Sequence, residues 1–272
     1  MRVAIANRHS QTQGYKDHQH VGLSGILTAS IGQNAAPLQK EATAKWGGEI
    51  TMAPFKLYAS KAWGSMIAEL ALALCEAETE LIEVEWQEGV GLVGGDLQKH
   101  NPLKQIPTLV LPSGEVMTES AAILLYLNDL YPEAGLAPAP TSPQRAFFLK
   151  TLMILASPVY ATYTYGDVPE RWVGVNEKSG PGKVLRETTD THREAMLKRL
   201  DATIKGPFWL GETPSALDLY LWPMSFWRPG AKWMRENIPG IWEVIRALAK
   251  HPKLTAVGLR NGLIDADGKP RE

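Results

Sequence analysis

The sequence predicts a small α/β domain followed by a larger all-α domain, and three observations predict it. Between Phe55 and Leu130, short apolar or alternating runs take turns with runs of helical period. Four prolines, at 132, 138, 140 and 143, then forbid a helix through most of that span. Beyond Gln144 every periodic run is helical. A chain of 272 residues is comfortable for two domains, and its 44% hydrophobic content supports a sizeable core.

The elements follow in order. Phe55 to Ala59 suits a short buried strand, and residues 64–77 read as a helix because Met66, Ile67, Leu70, Ala71 and Leu74 recur at helical spacing. Residues 81–86 alternate apolar and acidic side chains, as a half-exposed strand does, and the Gly-rich passage 89–95 reads as a loop. Residues 107–111 and 116–118 form a hairpin around Pro112-Ser113-Gly114, and the apolar run 120–130 is a helix. Residues 133–143 are a Pro-rich linker between a first domain over 53–132 and a second over 144–265. The second carries helices over 145–156, 183–204, 216–225 and 241–250. Residues 1–52, rich in Gln, Ser, Gly, Ala and Asn, show no sustained period and read as a disordered leader or as sequence ahead of a true start at Met52.

Composition narrows the function. A net charge of -1 gives no global case for binding nucleic acid or an anionic membrane. The single cysteine, Cys75, allows no intrachain disulfide, which fits a reducing, cytoplasmic setting. No Cys/His cluster has metal-ligand spacing, so no metal is expected, and the apolar runs look too short to cross a bilayer. Cys75 sits among Leu72 and Leu74 and reads as core.

Three motifs carry a resemblance. Asn101-Pro102-Leu103-Lys104-Gln105-Ile106-Pro107-Thr108-Leu109 has an X-Pro bond that a fold can hold cis, leaving the backbone of Ile106 turned outward for an extended peptide. Glu119-Ser120 opens a helix, where free N–H groups and a hydroxyl suit a carboxylate. Thr213-Pro214-Ser215-Ala216-Leu217-Asp218 has the spacing of a capping box. Together, over roughly residues 54–261, they resemble the cytosolic glutathione transferases of bacterial type. The resemblance implies a thioredoxin-like N-terminal domain with an all-α C-terminal domain. It implies glutathione as co-substrate, held by Gln105, Ile106, Pro107, Glu119 and Ser120, and transfer of its thiolate to a small electrophile. It further implies a two-fold homodimer. A glutathione-dependent peroxidase and a non-catalytic glutathione-binding protein are the alternatives.

The activating residue is where this sequence departs from the family. With Leu70-Ala71-Leu72 aligned to the family's apolar triplet, Gly64 stands at the cysteine position and Ala62 near the serine position, and neither side chain can donate. Ser65 ranks first as the thiol-activating catalytic residue, Tyr58 second and Ser60 third. Trp63 is expected to shape the cleft. Tyr160, Tyr163 and Tyr165, in an aromatic passage, are expected to line the acceptor-substrate pocket, whereas Trp222, Trp227 and Trp233 are expected in the core. If Met52 is the true start, a chain beginning there should match the full chain in thermal stability; a clearly lower melting temperature would refute that reading.

Overall fold

The structure, a computed structural model, describes residues 53–88 and 90–270; the expectation for 1–52 falls outside them. The first domain is a four-stranded mixed sheet with its two longer helices on one face. Strand β1 (Phe55–Ala59) pairs in parallel with β2 (Thr79–Glu83) and antiparallel with β5 (Thr108–Val110), which pairs antiparallel with β6 (Val116–Thr118). Helix α1 (Met66–Leu74) crosses from β1 to β2, and α3 (Ser120–Leu130) follows β6.

The alternation of β1 assigns its two faces. Phe55, Leu57 and Ala59 join Leu109 and Leu111 in the core beneath α1 and α3. Tyr58 points the other way, into a smaller cluster with Val84, Leu92, Leu97 and Val110. That second face is covered by α2 (Leu97–His100) and by a two-stranded ribbon, β3 (Glu85–Gln87) with β4 (Gly91–Val93). The strand expected over 81–86 therefore breaks at Val84. Part of the expected loop 89–95 is strand, because β3 supplies a partner for the backbone of Gly91 to Val93.

The second domain is all helical. It comprises α4 (Arg145–Ile154), a π-helical stretch (Leu155–Val159), α5 (Tyr160–Asp167), α6 (Glu170–Val173), α7 (Gly180–Asp201), α8 (Ala216–Met224), α9 (Ala231–Asn237), α10 (Pro239–Ala249) and α11 (Thr255–Arg260). The helix expected over 145–156 thus continues to Asp167. Pro158 has no N–H to give the α-helical bond, and the N–H of Tyr160 reaches back five residues to the Leu155 carbonyl. By length and composition the 23 residues Arg145–Asp167 could cross a membrane, contrary to the expectation that every apolar run is too short. Phe148, Leu152, Leu155, Val159 and Tyr163, at three-to-four spacing, instead face the core that both domains share.

Helix α8 runs through that core with all nine of its residues buried. Its start depends on Asp218, whose carboxylate accepts from the Ser215 N–H (2.7 Å) and hydroxyl (2.8 Å) on one oxygen and from the Trp209 N–H (2.7 Å) on the other. Burial raises its pKa to about 6, against the pull of these donors. Replacing Asp218 with Ala strands two buried N–H groups, so Asp218→Ala should lose about 3 kcal/mol in urea unfolding. A loss below about 1 kcal/mol would show that the cap does not hold the helix.

Candidate functional site

The Ile106–Pro107 peptide is cis. It lies in a loop that one buried side chain organises: Asn101 Nδ2 donates to the Gln105 carbonyl and to Thr108 Oγ1 (both 3.0 Å), while Asn101 Oδ1 accepts from the Leu103 N–H at 3.0 Å. Thr108 Oγ1 donates to the same Gln105 carbonyl at 2.7 Å. Because β5 starts only at Thr108, the N–H and C=O of Ile106 stand outside the ladder.

Across the hairpin, Glu119 has φ 65° and ψ 105°, a conformation that non-glycine residues seldom adopt. Its side chain is exposed, and the turn delivers Ser120 to the first position of α3. There the leading N–H groups have no intrahelical acceptor and the helix dipole favours an anion. Ser120 Oγ lies 2.7 Å from Tyr220 Oη of α8, a partner from the helical domain that the sequence did not disclose.

The loop from β1 to α1 is held from the far end of the chain. Ala62, at φ 60°, donates its N–H to Asn261 Oδ1 (3.1 Å) and accepts at its carbonyl from Trp227 Nε1 (3.0 Å). Asn261 Nδ2 in turn donates to Glu69 Oε2 at 3.0 Å, and Arg260 pairs with the same oxygen at 2.8 Å. Burial of Glu69 raises its pKa, while the bond from Asn261 and the charge of Arg260 act in the opposite direction.

The sequence candidates for thiol activation do not meet in this site. Ser65 is fully buried, with its hydroxyl spent on Ser60: it accepts from the Ser60 N–H (3.1 Å) and donates to the Ser60 carbonyl (3.3 Å). Tyr58 lies on the sheet face away from α1 and α3, beside His100 and Asp96, and burial then Asp96 raise its pKa. Ser60, Ser65 and Tyr58 line neither cavity described below. Cys75 is buried and its thiol is pushed up to about 12, first by burial and then by Glu133.

Two adjoining cavities flank the interface between the domains. One, of about 590 Å³, is lined by Gln105, Ile106, Pro107, Glu119, Ser120 and Tyr220, so the five expected glutathione-binding residues converge on it. The other, of about 520 Å³, is lined by Ala62, Gly64, Tyr163, Asp167, Val168 and Trp227. Trp63, Trp86, Tyr160, Thr164 and Arg171 line both. Of the three tyrosines expected to line an acceptor-substrate pocket, Tyr160 and Tyr163 line the second cavity. Tyr165 does not: it points outward, 37% exposed, with its ring 4.7 Å from that of Trp172. Trp227, expected in the core, lines the second cavity, while Trp222 is core. Trp63 shapes the cleft as expected, its ring 6.2 Å from that of Trp86, over which the Arg171 guanidinium lies at 5.8 Å.

A thioredoxin-like domain with a cis-proline edge and a helix start facing one cavity, backed by an all-helical domain, defines the glutathione-transferase architecture. Residues 65–130 match the family model for the glutathione S-transferase N-terminal domain. The chain is 34% identical over 210 residues to the uncharacterized GST-like protein YncG of Escherichia coli K12, covering 77% of this chain and 99% of that one. It is 24% identical over 213 residues to the glutathione S-transferase GstA of Escherichia coli O157:H7, covering 75% and 100%. A sphingomonad glutathione S-transferase solved in complex with glutathione superposes with TM-score 0.62 at 28% identity, over 76% of this chain and 99% of that one. The chain belongs to the glutathione S-transferase family, of bacterial type.

Asn261→Ala removes the acceptor for Ala62 and a donor to Glu69 together, so it should destabilise by about 2 kcal/mol in denaturant unfolding. It should also speed amide exchange at Ala62; unchanged exchange there would show that Asn261 does not fix the loop.

Proposed function

We propose that this protein binds glutathione in the first cavity and transfers its thiolate to a small electrophile held in the second. The observation that carries the proposal is the continuity of the two cavities along Trp63, Trp86, Tyr160, Thr164 and Arg171. The backbone of Ile106, outside the ladder and at the first cavity, suits the cysteinyl unit of an extended peptide. The start of α3, with Ser120 and Glu119, suits the carboxylate and ammonium of its γ-glutamyl end. Aromatic walls next to this site suit a flat apolar acceptor.

In the reaction the thiol proton passes to solvent and the sulfur lone pair forms a bond to the electrophilic carbon. In a substitution the leaving group departs with its bonding electron pair. In an addition to an activated double bond, the neighbouring atom takes a proton from water. With Gly64 where a cysteine would stand, no protein thiol is placed to form a mixed disulfide. The two-fold homodimer and the cytoplasmic setting expected of such a protein belong to the same proposal and rest on family membership.

A second reading, a glutathione-binding protein without catalysis, draws support from Ser65 and Tyr58 lining neither cavity. Titrating bound glutathione by thiolate absorbance at about 240 nm separates the two. Under the first reading the bound thiol has a pKa well below its ordinary value of about 8.5, so a normal value would leave only the second. Ser120→Ala and Glu119→Gln should each weaken glutathione binding about tenfold in calorimetry, the loss of one charge-assisted hydrogen bond. Wild-type affinity in both would place the ligand elsewhere.

A further inference from the structure

Gly64 opens the first turn before α1, and the space its missing side chain leaves is taken. A Cβ built on Gly64 would overlap the hydroxyl oxygen of Tyr160 and lie 3.0 Å from its Cζ. Tyr160 is the first residue of α5, so a phenol from the helical domain reaches the spot from which a cysteine at 64 would present its sulfur. The ring is fixed edge-on to Trp227 (5.6 Å between centroids) and to Tyr163 (6.4 Å). Its hydroxyl has no hydrogen-bond partner among the described residues. It also lies where the cavity of Ile106 and Ser120 meets the aromatic cavity.

We propose that Tyr160 is the catalytic residue that activates the thiol, donating its phenolic hydrogen to the glutathione sulfur from across the domain interface. This rests on the glutathione-transfer reading above and names its missing donor. A donor here must keep its own proton while the thiol gives one up. Burial first, and then the Glu119 carboxylate, push the Tyr160 hydroxyl up to about 12, so it stays protonated through the neutral range. Other ionisable groups at this junction are Arg171 and Asp167 along the cavity walls, Lys104 in the first cavity, and Tyr163 and Tyr220, whose own hydroxyls burial raises. Arg171 adds positive charge, which favours a thiolate; Asp167 is paired with Arg228. The positive end of the α1 dipole adds to the same effect. In the first step the thiol proton leaves to solvent and the Tyr160 O–H···S hydrogen bond forms, with no change in the protonation of the phenol. As the sulfur bonds to carbon, that hydrogen bond weakens and the phenol is returned unchanged.

The test compares the full-length protein with Tyr160→Phe, Gly64→Ala and Tyr58→Phe, reading the pKa of bound glutathione at about 240 nm and the pH profile of transfer to a chlorodinitrobenzene probe. Tyr160→Phe should raise the bound thiol pKa by about 1 to 2 units and shift the acidic limb of the rate profile by the same amount, with glutathione affinity changed less than about threefold. Gly64→Ala, whose methyl displaces the phenol, should move the pKa the same way while circular dichroism and melting confirm a folded chain. Tyr58→Phe should leave it unmoved. A Tyr160→Phe protein that binds glutathione with the wild-type thiol pKa overturns the assignment, even if its rate falls. That result leaves the transfer reading standing, whereas a wild-type protein that fails to bind glutathione, or binds it with an ordinary thiol pKa, defeats both.

Discussion

Ala62 is gripped at both ends of its peptide unit by side chains from the other domain, and much of the site depends on this hold. Its N–H is taken by Asn261 and its carbonyl by Trp227, residues 199 and 165 positions further along the chain. These two bonds stabilise a left-handed alanine that has no glycine freedom of its own. They also set the separation between the start of α1 and the aromatic wall of the second domain. Glu69 extends the hold into the core, since its buried carboxylate fixes Asn261 and pairs with Arg260.

The two cavities are built by different kinds of force. Polar side chains and backbone shape the first. Asn101 and Thr108 fold the loop onto the Gln105 carbonyl, and a strained Glu119 delivers the α3 start. The second is a matter of apolar packing, with Trp227, Tyr160 and Tyr163 stacked edge to face. Recognition of a peptide needs directional donors and acceptors, while accommodation of varied acceptors needs shape and surface. Both domains build each cavity: Tyr220 of the second domain lines the first cavity, Ala62 and Gly64 of the first domain line the second, and Tyr160 lines both.

The legible parts were those fixed locally. An X-Pro bond before a strand, a Glu-Ser pair before an apolar helix and a Ser-x-x-Asp box each act within a few residues, and each structural element they announced is present. The side of the sheet that Tyr58 occupies was hidden, because alternation tells that Leu57 and Tyr58 face apart but not which of them faces α1. Ser65 was credible by position, yet a bond to Ser60 five residues back turned it inward. Asn261 could not be found at all, since no local pattern marks a side chain whose partners lie almost two hundred residues away. The role of Gly91 to Val93 was masked by glycines that read as a loop until Trp86 and its neighbours offered an edge to pair with.

The π-helical stretch ending at Val159 has a bearing on which side chain the site receives. Fitting one additional residue into a helical turn acts as a phase offset, rotating everything downstream by roughly 100° about the axis. Without it, the direction now taken by Tyr160 would fall to Val159 or Ala161, neither of which carries a hydroxyl. The wide turn at Pro158 therefore lets Val159 and Tyr163 stay in the core while Tyr160 lines both cavities.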